Sequence, residues 1–253
     1  MDKYKRLTDK LGRRDKVHVA TTSFFDEPTL IERMNRDDLD FLLLDMEHGR
    51  FNTESMRIQL YICRTLGLPS IVRVQDTAYH LISKTIDMGA DGIMLPRTES
   101  LDQLRTAIDG IHFYPIGKKG YGGAAQFRNG EDFDGFQKGR FLFPQIESPK
   151  GIDNLRVMLR EYGEHISGII VGPFDLSVML GVPGDIHNEK MITAFKKVID
   201  TCQDMKMSVG IYCRSIADAA LYKEMGTNIF WLNTDLDLYI DGYKRAFDAL
   251  SML

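Results

Sequence analysis

One pattern recurs eight times along the chain and leaves it few folds to choose from: a short apolar run, a polar tip, then a stretch with helical periodicity. The runs cover residues 17–23, 41–46, 70–74, 92–96, 140–147, 168–173, 208–212 and 228–232. They are rich in Val, Ile, Leu and Phe and do not alternate with polar residues. They therefore read as strands buried on both faces, the mark of a parallel sheet. Helices are predicted over 28–36, 53–66, 77–88, 99–110, 151–162, 188–205, 215–225 and 236–250, and a short amphipathic helix over 2–14 precedes the first strand. Pro28 suits a first helical turn, Thr53 an N-cap, and Gly67, Gly89, Gly163 and Gly226 stop signals. Eight strand–helix units in a chain of 253 residues match a (β/α)8 TIM barrel, read here as one domain over 1–253. The rival, a doubly wound open sheet, calls for a glycine-rich fingerprint in the first strand–helix turn, and Thr22–Asp26 has none. The one long interruption, 112–139, holds seven glycines and precedes strand five. A loop of that length is expected to be functional or mobile.

The formal charge of −4 and a pI near 5.9 argue against general nucleic-acid binding. No apolar run approaches membrane-spanning length. The N-terminus has charges but no apolar segment after them, unlike a signal peptide. Cys63, Cys202 and Cys213 are scattered and odd in number, which reads as reduced thiols in a cytoplasm.

Barrels of this kind carry their active sites at the C-terminal ends of the strands. The tips supply Ser23, then Asp45, Glu47 and His48, then Arg73, Pro96, Glu147, Asp175, Cys213 and Asn233. The most telling is the second, Phe-Leu-Leu-Leu-Asp-Met-Glu-His-Gly (41–49). A core strand ends there on three ionisable groups that burial would not select. Glu147 and Asp175, on consecutive strands, can share a hard divalent cation, Mg²⁺ or Mn²⁺, with open positions for water and a chelating substrate; each can also be read as a helix-capping carboxylate. His48 is the only histidine at a tip and suits a general base, with Asp45 placed to orient its ring or tune it. Arg73, inside a core strand, must meet an anion or a polarised oxygen. That partner is either a structural carboxylate, Asp45 or Glu47, or a substrate keto oxygen. The turn Gly172–Pro173–Phe174–Asp175 offers free N–H groups at 174 and 175 that can cradle a carboxylate, or it is an ordinary strand–helix turn. In the long loop, Lys118, Lys119 and Gly120 can be read as part of a lid over an anionic substrate or as solvated loop.

Three absences narrow the chemistry. No lysine lies inside a predicted strand to form a Schiff base. No Gly-x-Ser-x-Gly elbow occurs. No glycine-rich phosphate cradle follows strands seven and eight.

Five strings in order, Leu-Asp-Met-Glu-His-Gly (44–49), Ile-Val-Arg-Val (71–74), Gly-Ala-Asp-Gly-Ile-Met-Leu-Pro (89–96), Gln-Ile-Glu (145–147) and Gly-Pro-Phe-Asp-Leu-Ser (172–177), resemble the HpcH/HpaI aldolases. These are metal-dependent class II aldolases of pyruvate-type 2-oxo acids, within a superfamily that includes the citrate lyase β-subunit. The resemblance implies a barrel that binds Mg²⁺, Mn²⁺ or Co²⁺ through Glu147 and Asp175. It implies His48 as base assisted by Asp45, Arg73 at the keto oxygen, and amides 174–175 at the carboxylate. Glu47, Lys119 and Gly120 take supporting or lid positions. The implied reaction is reversible cleavage of a 4-hydroxy-2-oxo acid to pyruvate, or a close 2-oxo acid, and an aldehyde. The implied assembly is a homo-oligomer, a hexamer or trimer of dimers. Two other readings stand beside it: a citrate-forming enzyme that condenses an acyl-CoA enolate with oxaloacetate, and a non-catalytic binding barrel. The chain departs from the family pattern at Lys119, where an arginine is usual. It departs also at Met46 and Phe174, which would narrow the pocket, and at the strand-eight tip 232–235.

Overall fold

The computed structural model describes residues 2–253. Helix α1 (Lys3–Arg13) leads into β1 (Val17–Thr22), α2 (Pro28–Met34), β2 (Phe41–Asp45), α3 (Thr53–Thr65), β3 (Ser70–Arg73), α4 (Tyr79–Asp87), β4 (Gly92–Leu95) and α5 (Leu101–Ile111). A short helix α6 (Phe133–Lys138) precedes β5 (Phe141–Ile146) and α7 (Pro149–Tyr162). Then come β6 (Ile169–Val171), α8 (Pro173–Met179), α9 (Glu189–Asp204), β7 (Val209–Cys213), α10 (Ile216–Met225), β8 (Ile229–Leu232) and α11 (Asp235–Leu250). The strands close into a barrel in the order β1 to β8, each pair parallel. The (β/α)8 expectation holds.

Two apolar clusters follow from the period-two alternation of the strands. The outer one packs the strands against the helix ring. The inner one fills the barrel and takes in Leu7 and Leu11 of α1, so the leading helix plugs the N-terminal end. Asp40 secures it there: its carboxylate accepts from Lys10 Nζ at 2.8 Å and from the His18 N–H at 2.9 Å. No helix among the described residues is long and apolar enough to cross a membrane.

Local capping sets several boundaries. Asn52, not Thr53, caps α3; its side chain accepts from the N–H groups of Glu54 and Ser55, and Ser55 reciprocates to the Asn52 N–H. Ser100 and Gln103 form the same reciprocal box at α5, which satisfies N–H groups a helix start leaves orphaned. The long loop is ordered rather than open. It holds a single 3-10 turn (Ala124–Gln126) and α6, and Phe113, Phe127, Phe133 and Phe136 pack ring to ring with centroids 4.8–6.3 Å apart. Helix α8, absent from the sequence reading, begins directly after β6. Its seven residues are too few for periodicity to stand out.

Candidate active site

Alternation decides which side chains reach the barrel interior. Phe41 and Leu43 of β2, Ile71 of β3, Phe141 and Phe143 of β5, Ile170 of β6 and Ile229 of β8 share the inner cluster. Steps of two toward the C-terminal mouth then give Asp45, Arg73, Gln145 and Glu147, Gly172, and Trp231. Most of these border one cleft of about 300 Å³ that also takes in Ser23, His48, Phe174, Asp175 and Tyr212. Glu147 stands beside it, bonded to Gln145.

Parallel pairing of β2 with β3 sets Asp45 opposite Arg73. The guanidinium donates through Nε to Oδ1 at 2.8 Å and through Nη2 to Oδ2 at 2.6 Å, the bidentate geometry that makes such pairs strong. Burial pushes the Asp45 carboxyl up, but the Arg73 bonds and charge outweigh it and hold it below its ordinary value. Both partners therefore stay ionised. Asp45 Oδ1 also accepts the N–H groups of Glu47 at 3.0 Å and His48 at 3.4 Å. A Cβ at Gly49 would lie 2.0 Å from the Asp45 carbonyl oxygen. Only glycine lets the chain fold back this tightly, and the turn carries Glu47 and His48 to the mouth.

The expected partnership of Asp45 with the His48 ring is not what forms. Asp45 is committed to Arg73 and to backbone N–H groups, because strand register puts it beside the guanidinium. The His48 side chain is 63% exposed, and the carboxylate nearest its ring is Glu47, 3.8 Å from Nε2. Glu47 in turn lies 3.4 Å from Arg73 Nη1 and 3.7 Å from Arg97 Nη2. Burial raises its pKa against the pull of these cations.

Glu147 is buried. Its Oε1 accepts the Arg97 N–H at 2.7 Å, and its Oε2 accepts Gln145 Nε2–H at 2.8 Å. Arg97 presents that N–H from a left-handed backbone, φ 45°, which is uncommon for a residue with a side chain; Pro96 forms the turn before it. Burial pushes Glu147 up to about 7; the Arg97 N–H opposes, and the charges of Asp175 and Glu47 add to the rise. Gly172 makes room, since a Cβ there would meet Glu147 Oε2 at 2.2 Å. Asp175 is exposed in the first turn of α8, where the N–H groups of Phe174 and Asp175 lack intrahelical acceptors.

Among the described residues, no group of three or more His, Cys, Asp or Glu side chains has the arrangement to hold a metal ion. Two carboxylates with vacant positions fit a hard cation on other grounds. Glu147 and Asp175 repel each other, and a cation would relieve that. Gln145 Oε1, beside Glu147, is a buried acceptor with no partner. The chemistry of this donor set, oxygen throughout, is that of Mg²⁺ or Mn²⁺.

The other tip residues divide. Ser23 lies in the cleft, its Oγ 3.4 Å from Asp45 Oδ2. Cys213 is buried, its thiol pushed up to about 12 by desolvation, and Sγ rests on the Ile211 carbonyl; it is no nucleophile. Asn233 donates its N–H to the Cys213 carbonyl and turns the chain through φ 49°.

Lys119 is not a lid cation. Its ammonium is fully buried against α4, paired with Asp87, with Ser83 Oγ at 3.5 Å and the Gly120 carbonyl at 3.2 Å. Gly120 donates its N–H to Tyr79 Oη. The segment is tied to the helix ring because the buried ammonium finds its counter-charge there. Residues the tip reading missed are Gln145, Arg97, Tyr212 and Trp231. Counting back by two from Glu147 finds Gln145, and strand parity finds Tyr212 and Trp231; nothing local marks Arg97.

A family model described as HpcH/HpaI aldolase/citrate lyase matches residues 24–242. The 5-keto-4-deoxy-D-glucarate aldolase of Klebsiella pneumoniae is 25% identical over 237 residues, 92% of each chain. The 2-keto-3-deoxy-L-rhamnonate aldolase of Shigella dysenteriae is 27% identical over 211 residues, 81% of this chain and 78% of that one. A crystal structure of an HpcH/HpaI aldolase from Desulfitobacterium hafniense superposes with a TM-score of 0.89 at 20% identity, over 98% of this chain and 97% of that one; at that identity the likeness speaks for the fold.

Proposed function

The chain belongs to the HpcH/HpaI aldolase/citrate lyase family, and on that premise we propose that it cleaves a 4-hydroxy-2-oxo acid reversibly to pyruvate, or a close 2-oxo acid, and an aldehyde. Glu147 and Asp175 would hold a divalent cation, Mg²⁺, Mn²⁺ or Co²⁺. When bound, it supplies Lewis acidity at the 2-oxo group. The N–H groups of 174 and 175 receive the substrate carboxylate. Arg73, locked by Asp45, brings a preset positive charge to the oxygen that becomes the enolate, so no reorganisation is needed as charge develops. His48 takes the proton from the 4-hydroxyl as the C3–C4 bond breaks. The electron pair of that bond passes into the enolate, and a proton returned to C3 completes pyruvate. Glu47, near both Arg73 and the His48 ring, stabilises the imidazolium that forms.

The observation that carries this reading is Glu147, a buried carboxylate raised to about 7 beside a second carboxylate in the same mouth as a fixed Arg–Asp pair. A pyruvate-release assay over a panel of 4-hydroxy-2-oxo acids, with and without Mn²⁺, tests it. Release should need the ion and vanish in Glu147→Ala; full activity in chelator-treated enzyme would refute the metal role.

The partners we propose are the small-molecule 2-oxo acid and further copies of the chain, with no nucleic acid and no membrane. Helix α11 buries only Asp235 and exposes Leu238, Tyr239, Ile240, Tyr243, Phe247 and Leu250, an apolar face of the kind interfaces cover. Three buried free cysteines suit a reducing cytoplasm.

A further inference from the structure

Three polar atoms in the upper layer of the barrel interior have no hydrogen-bond partner: Thr21 Oγ1, Gln145 Oε1 and Trp231 Nε1. Their residues are 3%, 2% and 4% exposed. A buried N–H without an acceptor bears its whole desolvation penalty, so such an atom in a native site asks for a reason. Gln145 has one in the cation reading above. Trp231 does not.

Trp231 forms the wall of the cleft on β8. Its ring meets Tyr212 edge to face, centroids 4.8 Å apart, and the Arg73 guanidinium carbon lies 5.7 Å from its centroid. Tyr212 does not serve as acceptor for the indole N–H; its hydroxyl bonds Asp237 Oδ2 at 3.3 Å instead. In the closed order, β8 is three strands from β5, which leads to Glu147. The oxygens of the 2-oxo acid half are met on the β3, β5 and β6 side, by Arg73, the cation site and amides 174–175. The aldehyde half is left to face β8 and β1, where the free Trp231 N–H and the free Thr21 hydroxyl lie.

We propose that Trp231 donates its Nε1–H to a hydroxyl oxygen on the aldehyde half of the substrate, and so selects hydroxylated, sugar-like aldehydes over aliphatic ones of equal size. This rests on the aldolase reading and deepens it. The donor is held by packing rather than by a bond of its own, so an acceptor that offers only a methyl group leaves it buried and unpaired. That penalty is what discriminates.

Condensation of pyruvate, with Mn²⁺ present, is measured with glycolaldehyde and with propionaldehyde, which differ by a hydroxyl in place of a methyl group. The wild type should favour glycolaldehyde in kcat/KM. Trp231→Phe, which keeps an aromatic ring without the N–H, should lose roughly tenfold of that preference, through KM for the aldehyde. Exchange of the pyruvate methyl protons, which needs no aldehyde, should be unchanged. Trp231 is the only tryptophan in the chain, so its emission reports on this wall alone and should shift when glycolaldehyde joins the enzyme with pyruvate. An undiminished preference in Trp231→Phe with exchange intact overturns the proposal and spares the aldolase reading, as does emission that glycolaldehyde leaves unmoved. Failure of the wild type to exchange pyruvate protons brings down both. Should the variant not fold, the wild-type emission decides.

Discussion

Replacing Glu147 with glutamine should make the metal-free protein more stable at pH 8 and change little at pH 4. The folded state holds the Glu147 proton up to about pH 7, whereas a free glutamate releases it near 4.5. Between those values the folded protein binds more protons than the unfolded chain, so stability falls as pH rises through the window and the loss is complete above it. At about 1.36 kcal/mol per pH unit the span from 4.5 to 7 amounts to about 3 kcal/mol. The neutral amide of the Glu147→Gln variant cannot ionise and escapes the loss. His112 acts in the opposite sense: burial lowers it from 6.5 to about 4, so the unfolded state binds the extra proton and stability rises over that range. Both proteins contain His112, and its effect cancels in their difference. Urea denaturation at pH steps from 4 to 8, with chelator present, would give the two curves. The difference between variant and wild type should grow by about 3 kcal/mol across the window. Saturating Mn²⁺ should then restore the wild type at pH 8 and do nothing for the variant. Parallel curves, within about 0.5 kcal/mol at every pH, would refute the claim that Glu147 is an uncompensated buried carboxylate.

Other perturbations separate roles. His48→Ala should lower aldol cleavage by roughly 10²- to 10⁴-fold, the usual worth of a general base, yet keep pyruvate methyl-proton exchange measured by NMR; an unchanged cleavage rate would clear His48. Gly172→Ala should drive a methyl group into Glu147 Oε2, which would lie 2.2 Å from it, and weaken Mn²⁺ binding in calorimetry while the far-UV spectrum stays native. Lys119→Met should lower the melting temperature, because it strands Asp87 without its buried partner, and leave kcat/KM unaltered; a raised KM would return Lys119 to the site.

Much of this architecture is set by local pattern. Eight buried runs separated by helical periods are consistent with one closed parallel barrel and little else, and barrel topology then sends every strand tip to one mouth. That is why Asp45, Arg73, Glu147 and Asp175, far apart along the chain, could be grouped before any contact was known. Short or irregular pieces escaped for physical reasons. Helix α8 has too few turns to print a period, and the ordered loop before β5 is held by aromatic packing that sequence spacing does not encode.

Pairing lay beyond the sequence. Whether Asp45 would serve the nearby His48 or the distant Arg73 depends on the register between β2 and β3, and that register sets Asp45 beside Arg73. Whether Lys119 would reach the mouth or the helix ring depends on where a remote carboxylate, Asp87, comes to lie. Chain chemistry chose the residues and the barrel. Neighbours brought together by closure decided which charges are matched, which stay unmatched, and therefore which are left for a ligand.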